Sequence, residues 1–238
     1  MSEPGPEAPA ESSAKPSAGP ANFEAIDTFI FDLDNTLYPV ETQFMALIEA
    51  RMTAFVQKIT DLPHDQARAL QKAYWTEHGT TLAGLMANHS VDPRAFLDEV
   101  HDVSLERLTP DPELRSAIAR LPGRRLVYTN GGSKHAERVL ERLELADLFE
   151  HVFHLEAADF VPKPNRSAYE AMARAHAVAP QRTAFFEDSE KNLRPAAELG
   201  MTTVLVGPSA QTSTAPFVRY RTRTLPPFLN AARLKEPR

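Results

Sequence analysis

Thr28-Phe29-Ile30-Phe31-Asp32-Leu33-Asp34-Asn35-Thr36, residues 28–36 of a 238-residue chain, decides the fold. Four β-prone residues run directly into two carboxylates and an Asn-Thr turn, the pattern of a buried strand that ends at a polar site. Four later runs have the same character: Arg125-Leu126-Val127-Tyr128, Val152-Phe153-His154-Leu155, Thr183-Ala184-Phe185-Phe186 and Thr203-Val204-Leu205-Val206. None alternates cleanly, as expected of parallel strands covered on both faces. Helical patterns fill the gaps over 134–145, 167–178 and 190–199; the first sets Val139, Leu140, Leu143 and Leu145 on one stripe among Glu and Arg. This alternation from residue 124 onward predicts an α/β fold, a doubly wound parallel sheet with its ligand site at the carboxyl ends of the strands.

Between the first run and the second the chain reads as helical and contains no β-prone run. Helices are expected near 42–60, 64–78, 80–89, 93–102 and 112–121, with Pro63, Pro93 and Pro112 near their starts. The resulting organisation is an α/β core of 23–39 plus 111–208, an inserted helical cap of 40–110, and a C-terminal extension of 209–238. Residues 1–22 hold five prolines among Ala, Ser, Glu and Gly and no apolar period, so a disordered tail is expected. The extension, with its basic Arg219-Tyr220-Arg221-Thr222-Arg223, reads as a solvated tail.

Composition narrows the chemistry. Hydrophobic content of 42% and charged content of 24% are those of a globular protein, and no run approaches a membrane span. The amino terminus lacks the basic and apolar regions of a secretory signal, so a cytoplasmic location is expected. A net charge of −6 disfavours general nucleic-acid binding, and the absence of cysteine removes disulfides, thiolate metal sites and thiol nucleophiles.

The suspicious polar residues all follow expected strands: Asp32 and Asp34 the first, Thr129-Asn130-Gly131-Gly132 the second, Lys163 the third, Glu187-Asp188-Ser189 the fourth. Gathering Asp32, Asp34, Glu187 and Asp188 costs several kcal/mol, on the order of 3–5, unless a cation balances them. An all-oxygen set favours Mg²⁺, which takes few carboxylates and completes its shell with water and phosphate oxygens. Thr129 and the adjacent glycine N–H groups suit an anion, although an ordinary strand-to-helix turn with Ser133 as N-cap uses the same residues. Lys163 between two prolines is a cation on a rigid stretch. Glu187-Asp188 also suits a plain helix start.

The joint pattern Asp32-x-Asp34-x-Thr36, Thr129, Lys163 and Glu187-Asp188 resembles the haloacid dehalogenase-like superfamily of phosphohydrolases. The resemblance spans about residues 26–207, and it implies that Asp32 attacks phosphorus to form an aspartyl-phosphate. Asp34 is then the proton donor and later the activator of water, with its pKa expected to rise through burial beside a carboxylate. Thr129 and Lys163 would hold phosphate oxygens, with Asn130 beside them. Asp32, the Asp34 carbonyl, Asp188 and Glu187 would bind Mg²⁺; Glu187 departs from the commoner Asp. The superfamily's dehalogenases lack the second acid, which makes halide displacement a poor expectation.

Asp34-Asn35-Thr36-Leu37-Tyr38-Pro39, Tyr74 to Thr81, Leu82 to Met86 and Glu187-Asp188-Ser189-x-x-Asn192 further resemble the pyrimidine 5'-nucleotidase branch. That implies nucleoside monophosphate substrates, with Tyr38, Thr80, Thr81 and His89 as a base pocket; Tyr74 and Trp75, as aromatics on a helix, are expected in its core rather than as base-stacking platforms. Sugar-phosphate or phosphoglycolate phosphatase activity is the alternative. A catalytically quiet phosphate-binding regulator on the same fold is another. The expected partner is a small phosphate ester, with no nucleic acid or membrane, and the chain is expected to be a monomer or homodimer.

Overall fold

The run that opens the ordered body becomes the central strand of a six-stranded parallel sheet. The computed structural model describes residues 20–235. Along the chain come β1 (Asn22–Phe23), β2 (Thr28–Phe31), α1 (Phe44–Thr60), α2 (His64–His78), α3 (Thr81–Asn88) and α4 (Pro93–Val100). Then follow α5 (Pro112–Ala119), β3 (Arg124–Tyr128), α6 (Ser133–Arg142), β4 (His151–Phe153), α7 (Arg166–Ala175), β5 (Thr183–Glu187) and α8 (Glu190–Glu198). The chain closes with β6 (Thr202–Val206), β7 (Tyr220–Thr222), α9 (Leu225–Ala231) and β8 (Arg233–Leu234).

The sheet order is β4-β3-β2-β5-β6-β7, so the strand order reverses beside β2. Phe31 is in register with Val127 of β3 and Phe186 of β5, which sets Asp32 between the ends of both neighbours. The lack of polar alternation now has its cause. Successive residues of one strand feed two apolar layers: Phe29, Phe31, Val127 and Phe186 face one, Ile30, Leu126, Tyr128 and Phe185 the other. The first layer is closed by α5, α6, α9 and α1, the second by α7 and α8. Each buried Phe contributes about 1.5–3 kcal/mol, and Phe31 stacks on Phe186 at 4.5 Å between centroids.

Helices α1 to α4 lie between β2 and α5, and α1 packs on α2, α2 on α3 and α1 on α4. Capping follows the local sequence: Asp92 and Asp111 accept N–H bonds at the starts of α4 and α5, each followed by its proline. The α2–α3 contact is close at Gly84, where a Cβ would stand 2.3 Å from Tyr74 Cβ. Gly84→Ala is therefore expected to destabilise by about 1–3 kcal/mol, read as a lower urea midpoint with unchanged slope.

Two expectations are corrected at the chain's ends. The extension is not a solvated tail: β7 is the sixth strand of the main sheet, pairing with β6 in the register Val204↔Tyr220. Its alternation of Arg with buried Tyr220 is that of an edge strand with one covered face. Most of the 1–22 tail lies outside the described residues, but Ala21 is buried and Asn22 pairs in parallel with Arg233 of β8. Phe23 anchors this seam, meeting Phe29, Phe186, Tyr220 and Phe228 edge to face. Smaller differences concern β4, which ends at Phe153 rather than Leu155, and Ser133, which is the first residue of α6 rather than its cap. Glu156 accepts the Ser133 N–H at 3.1 Å.

Candidate active site

Parallel register brings the four suspected segments to one edge of the sheet. Asp32 is held by its own backbone, whose N–H donates to Phe186 O at 2.8 Å, as a continuation of the β2–β5 ladder. Its carboxylate is shared out: Lys163 Nζ donates to Oδ1 at 2.7 Å and the Thr36 hydroxyl to Oδ2 at 3.1 Å. Lys163 arrives from the loop after β4 with its side chain 1% exposed. It also donates to Glu187 Oε2 at 2.7 Å and to Tyr128 O at 2.9 Å, filling all three ammonium donors.

Asn130 clamps that lysine in place, accepting from Lys163 N at 2.8 Å and donating to Lys163 O at 3.1 Å. Its amide is thus engaged with the lysine backbone. Thr129 Oγ1 accepts from Gly131 N at 2.9 Å, which leaves the hydroxyl hydrogen for a ligand. Gly131 is needed here, since a Cβ would come within 2.8 Å of His135 and 3.2 Å of Thr129 Oγ1.

One ligand oxygen from each of Asp32, Glu187 and Asp188 lies within 4.8 Å of the others. Burial, then the Glu187 charge, pushes Asp32 up to about 7 against the pull of Lys163. Burial likewise raises Glu187 to about 7 and, with the Asp32 charge, Asp188 to about 6. Burial works against the Lys163 ammonium, but Asp32 and Glu187 outweigh it and drive its pKa up. One lysine thus faces three crowded carboxylates, a donor set of hard oxygens that fits a divalent cation. Glu187 is the least available member, because Oε1 already accepts from Ser189 N and Asn192 Nδ2 at 3.2 and 3.1 Å.

Asp34 corrects an expectation. Burial raises its carboxyl, as foreseen, but the His135 charge and hydrogen bond and the Tyr38 hydroxyl outweigh burial and bring it down to about 2. His135, in the first turn of α6, and His101, just after α4, escaped the sequence reading; at helix spacing each looks like an ordinary packed residue. The two rings stack at 4.2 Å, and burial, then His135, lowers His101 to about 3.

Asp32, Asp34, Thr129, Asn130, Lys163, Glu187 and Asp188 all line one cavity of about 770 Å³. Its far wall comes from the inserted helices and includes Thr80 and Thr81. Two other expected pocket residues are elsewhere: Tyr38 is buried on Asp34, and His89 spends Nε2 on the Tyr74 hydroxyl at 2.8 Å. Trp75 is also corrected. It is 53% exposed and lines the cavity, with Lys191 Nζ 3.4 Å from its ring centroid.

A family model of haloacid dehalogenase-like hydrolases matches residues 26–200. The chain belongs to the haloacid dehalogenase-like hydrolases. Among curated relatives of this hydrolase is Phosphate metabolism protein 8 of Saccharomyces cerevisiae (strain ATCC 204508 / S288c), 29% identical in an alignment 189 residues long that covers 73% of this chain. The match covers 59% of that yeast protein, so the chain spans less than two thirds of its length. Among solved structures, a HAD phosphatase from Thermococcus onnurineus superposes with a TM-score of 0.59 at 16% identity, covering 84% of this chain and 94% of that one. YfnB from Bacillus subtilis, a putative HAD-hydrolase bound to magnesium, gives 0.57 at 15%, covering 86% and 97%. L-2-haloacid dehalogenase from Xanthobacter autotrophicus gives 0.54 at 18%, covering 86% and 97%. At these identities the likeness is one of fold. No helix among the described residues is long and apolar enough to cross a membrane.

Proposed function

We propose that this hydrolase is a Mg²⁺-dependent phosphomonoesterase that works through an aspartyl-phosphate on Asp32. The observation that carries the reading is Asp32 itself, a buried carboxylate at a strand end, braced by Lys163 and facing Thr129, Asp34 and Asp188 across one cavity. Asp32, Asp188 and the Asp34 carbonyl would hold the cation, with Glu187 at one remove. When bound it supplies charge neutralisation for the transferring phosphoryl group.

The chain's own groups account for the rest. A carboxylate oxygen of Asp32 bonds to phosphorus as the ester P–O bond breaks, and the departing oxygen takes a proton from Asp34. Water then gives a proton back to Asp34 and attacks phosphorus, which releases the Asp32 carboxylate and inorganic phosphate. Lys163 and the Thr129 hydroxyl stabilise the phosphoryl oxygens. Asp34 is ionised in the free site; the negative charge of an arriving phosphate pushes its carboxyl upward, toward the protonated form that the first step needs.

The finer reading is a pyrimidine 5'-nucleotidase. The exposed Trp75 ring on the cavity wall offers a face for stacking, and the Thr53 hydroxyl bonded to Gln71 Oε1 at 2.5 Å adds polar groups beside it. The cavity falls within the range of roughly 300–1,000 Å³ that small-molecule sites occupy.

The test is phosphate release from UMP, CMP, AMP, phosphoglycolate, hexose phosphates and p-nitrophenyl phosphate, with Mg²⁺ and with chelator. Turnover led by UMP and CMP is expected. A sugar-phosphate or phosphoglycolate preference overturns the nucleotidase reading, and no turnover on any ester favours the quiet phosphate-binding regulator. Thermal melting reads the cation independently. Burial and mutual repulsion raise Asp32, Glu187 and Asp188 above the ordinary carboxylate range in the folded protein, so their ionisation costs stability as pH rises between the unfolded and folded pKa values. Mg²⁺ is therefore expected to raise the melting temperature at pH 7.5 and far less at pH 5, with a stabilisation of about 2.7 kcal/mol at a hundredfold excess over Kd.

A further inference from the structure

The two oxygens of the Asp34 carboxyl are treated differently by the fold. Oδ1 takes both protein donors, the Tyr38 hydroxyl at 2.7 Å and His135 Nε2 at 2.8 Å. Oδ2 has no hydrogen bond among the described residues and lies toward the Thr129 loop, 3.6 Å from where a Gly131 Cβ would stand. Because Oδ1 accepts, Nε2 carries the hydrogen. The His135 ring is itself fixed: its side chain is 1% exposed, and it lies parallel to Phe44 (3°, 6.1 Å) on one pairing and to His101 (18°, 4.2 Å) on another. Tyr38 is buried against Phe44 as well, so the same aromatic packs both donors. The acid is thereby tied to its own loop and to the helix that follows Thr129.

We infer that His135 and Tyr38 are positioning residues for Asp34, fixing its carboxyl plane through Oδ1 so that Oδ2 is the oxygen that carries the transferred proton. This rests on the phosphomonoesterase reading. In the first step the Asp32 O–P bond forms, the ester P–O bond breaks with its electron pair going to the leaving oxygen, and that oxygen takes the hydrogen from Oδ2. The charge left on Asp34 is shared by the two donors at Oδ1. In the second step water returns a proton to Oδ2 as it attacks phosphorus. Neither His135 nor Tyr38 touches the reacting atoms.

A leaving-group comparison separates this role from a general loss of structure. The glycerol oxygen of glycerol 2-phosphate would leave as an alkoxide and needs the proton, whereas p-nitrophenolate departs readily as an anion. The measurement is kcat/KM with Mg²⁺, which reports steps through ester cleavage, for the wild type, His135→Ala, His135→Gln, Tyr38→Phe and Asp34→Asn. His135→Ala is expected to lose on the order of 100-fold on glycerol 2-phosphate and at least about tenfold less than that on p-nitrophenyl phosphate. His135→Gln, which keeps a side-chain N–H, is expected to recover part of the loss, and Tyr38→Phe to show the same asymmetry more weakly. Equal losses on both esters, or none, overturn the positioning role; Gln and Phe variants decide it should the Ala variant fail to fold. If Asp34→Asn itself shows no asymmetry, Asp34 is not the acid and the inference falls while Asp32 survives as nucleophile. A wild type that cleaves neither these esters nor any nucleotide, sugar phosphate or phosphoglycolate removes the phosphomonoesterase reading and the inference with it.

Discussion

Asp32→Asn is expected to remove phosphate release by a factor on the order of 10⁴ or more, because an amide offers no carboxylate to form the acyl-phosphate bond. The fold is expected to survive. Asn keeps the shape of Asp32: its amide oxygen can accept from the Lys163 ammonium in place of Oδ1, and its amide NH2, in place of Oδ2, can donate to the Thr36 hydroxyl oxygen. The stability change has a definite sign. Burial, then Glu187, raises Asp32 to about 7, so ionising it costs the folded state as pH climbs from the unfolded value toward 7. Removing that charge is therefore expected to leave the metal-free melting temperature at pH 8 unchanged or higher. Activity within tenfold of wild type, measured beside circular dichroism, sinks Asp32 as nucleophile.

Lys163→Met should damage both stability and activity. The ammonium is enclosed by Asp32, Glu187 and Tyr128 O at 2.7, 2.7 and 2.9 Å, and its loss leaves two buried carboxylates uncompensated. Breaking a buried ion pair by removing one partner costs about 3–5 kcal/mol, which corresponds to about 6–20 °C in a chain of this size. The deficit is expected to be larger at pH 8 than at pH 5. At pH 5 the two carboxylates, already raised to about 7 in the intact site, take up protons and shed the repulsion. Activity is expected to fall by about 10² or more, since the positive charge that braces Asp32 and lies beside the proposed phosphoryl transfer is lost. A melting temperature within 2 °C of wild type, at about the cost of a surface change, refutes the buried-triad account.

The sheet was readable because its strands are short apolar runs that stop at polar residues, and register then forces those stops together. Phe31 opposite Val127 and Phe186 is enough to place Asp32 beside the Thr129 loop and Glu187. The unread parts depend on contacts that no local pattern records. Strand β7 is three residues long with arginines on either side of Tyr220, so its one buried face was outweighed by its charge. His135 is a helix residue by spacing, and only the fold shows that it reaches Asp34 across 101 positions of sequence. Missing it reversed the expected direction of the Asp34 pKa. Trp75 was misplaced for the opposite reason: large aromatics favour cores, but this one faces a cavity that the helical stripe of α2 does not reveal.

The insertion of α1 to α4 between β2 and α5 divides labour by element. Arg68, Lys72 and Trp75 of α2 line the cavity, yet none of the four hydrolytic segments runs through that helix. Asp32, Thr129 and Asp188 sit just past strand ends fixed by the sheet and Lys163 in the loop after β4, so substitutions on that helix face change the cavity wall without passing through them. Under the proposed function, a change on the α2 face alters what the cavity admits, and the groups proposed to do the chemistry are insulated from it by topology.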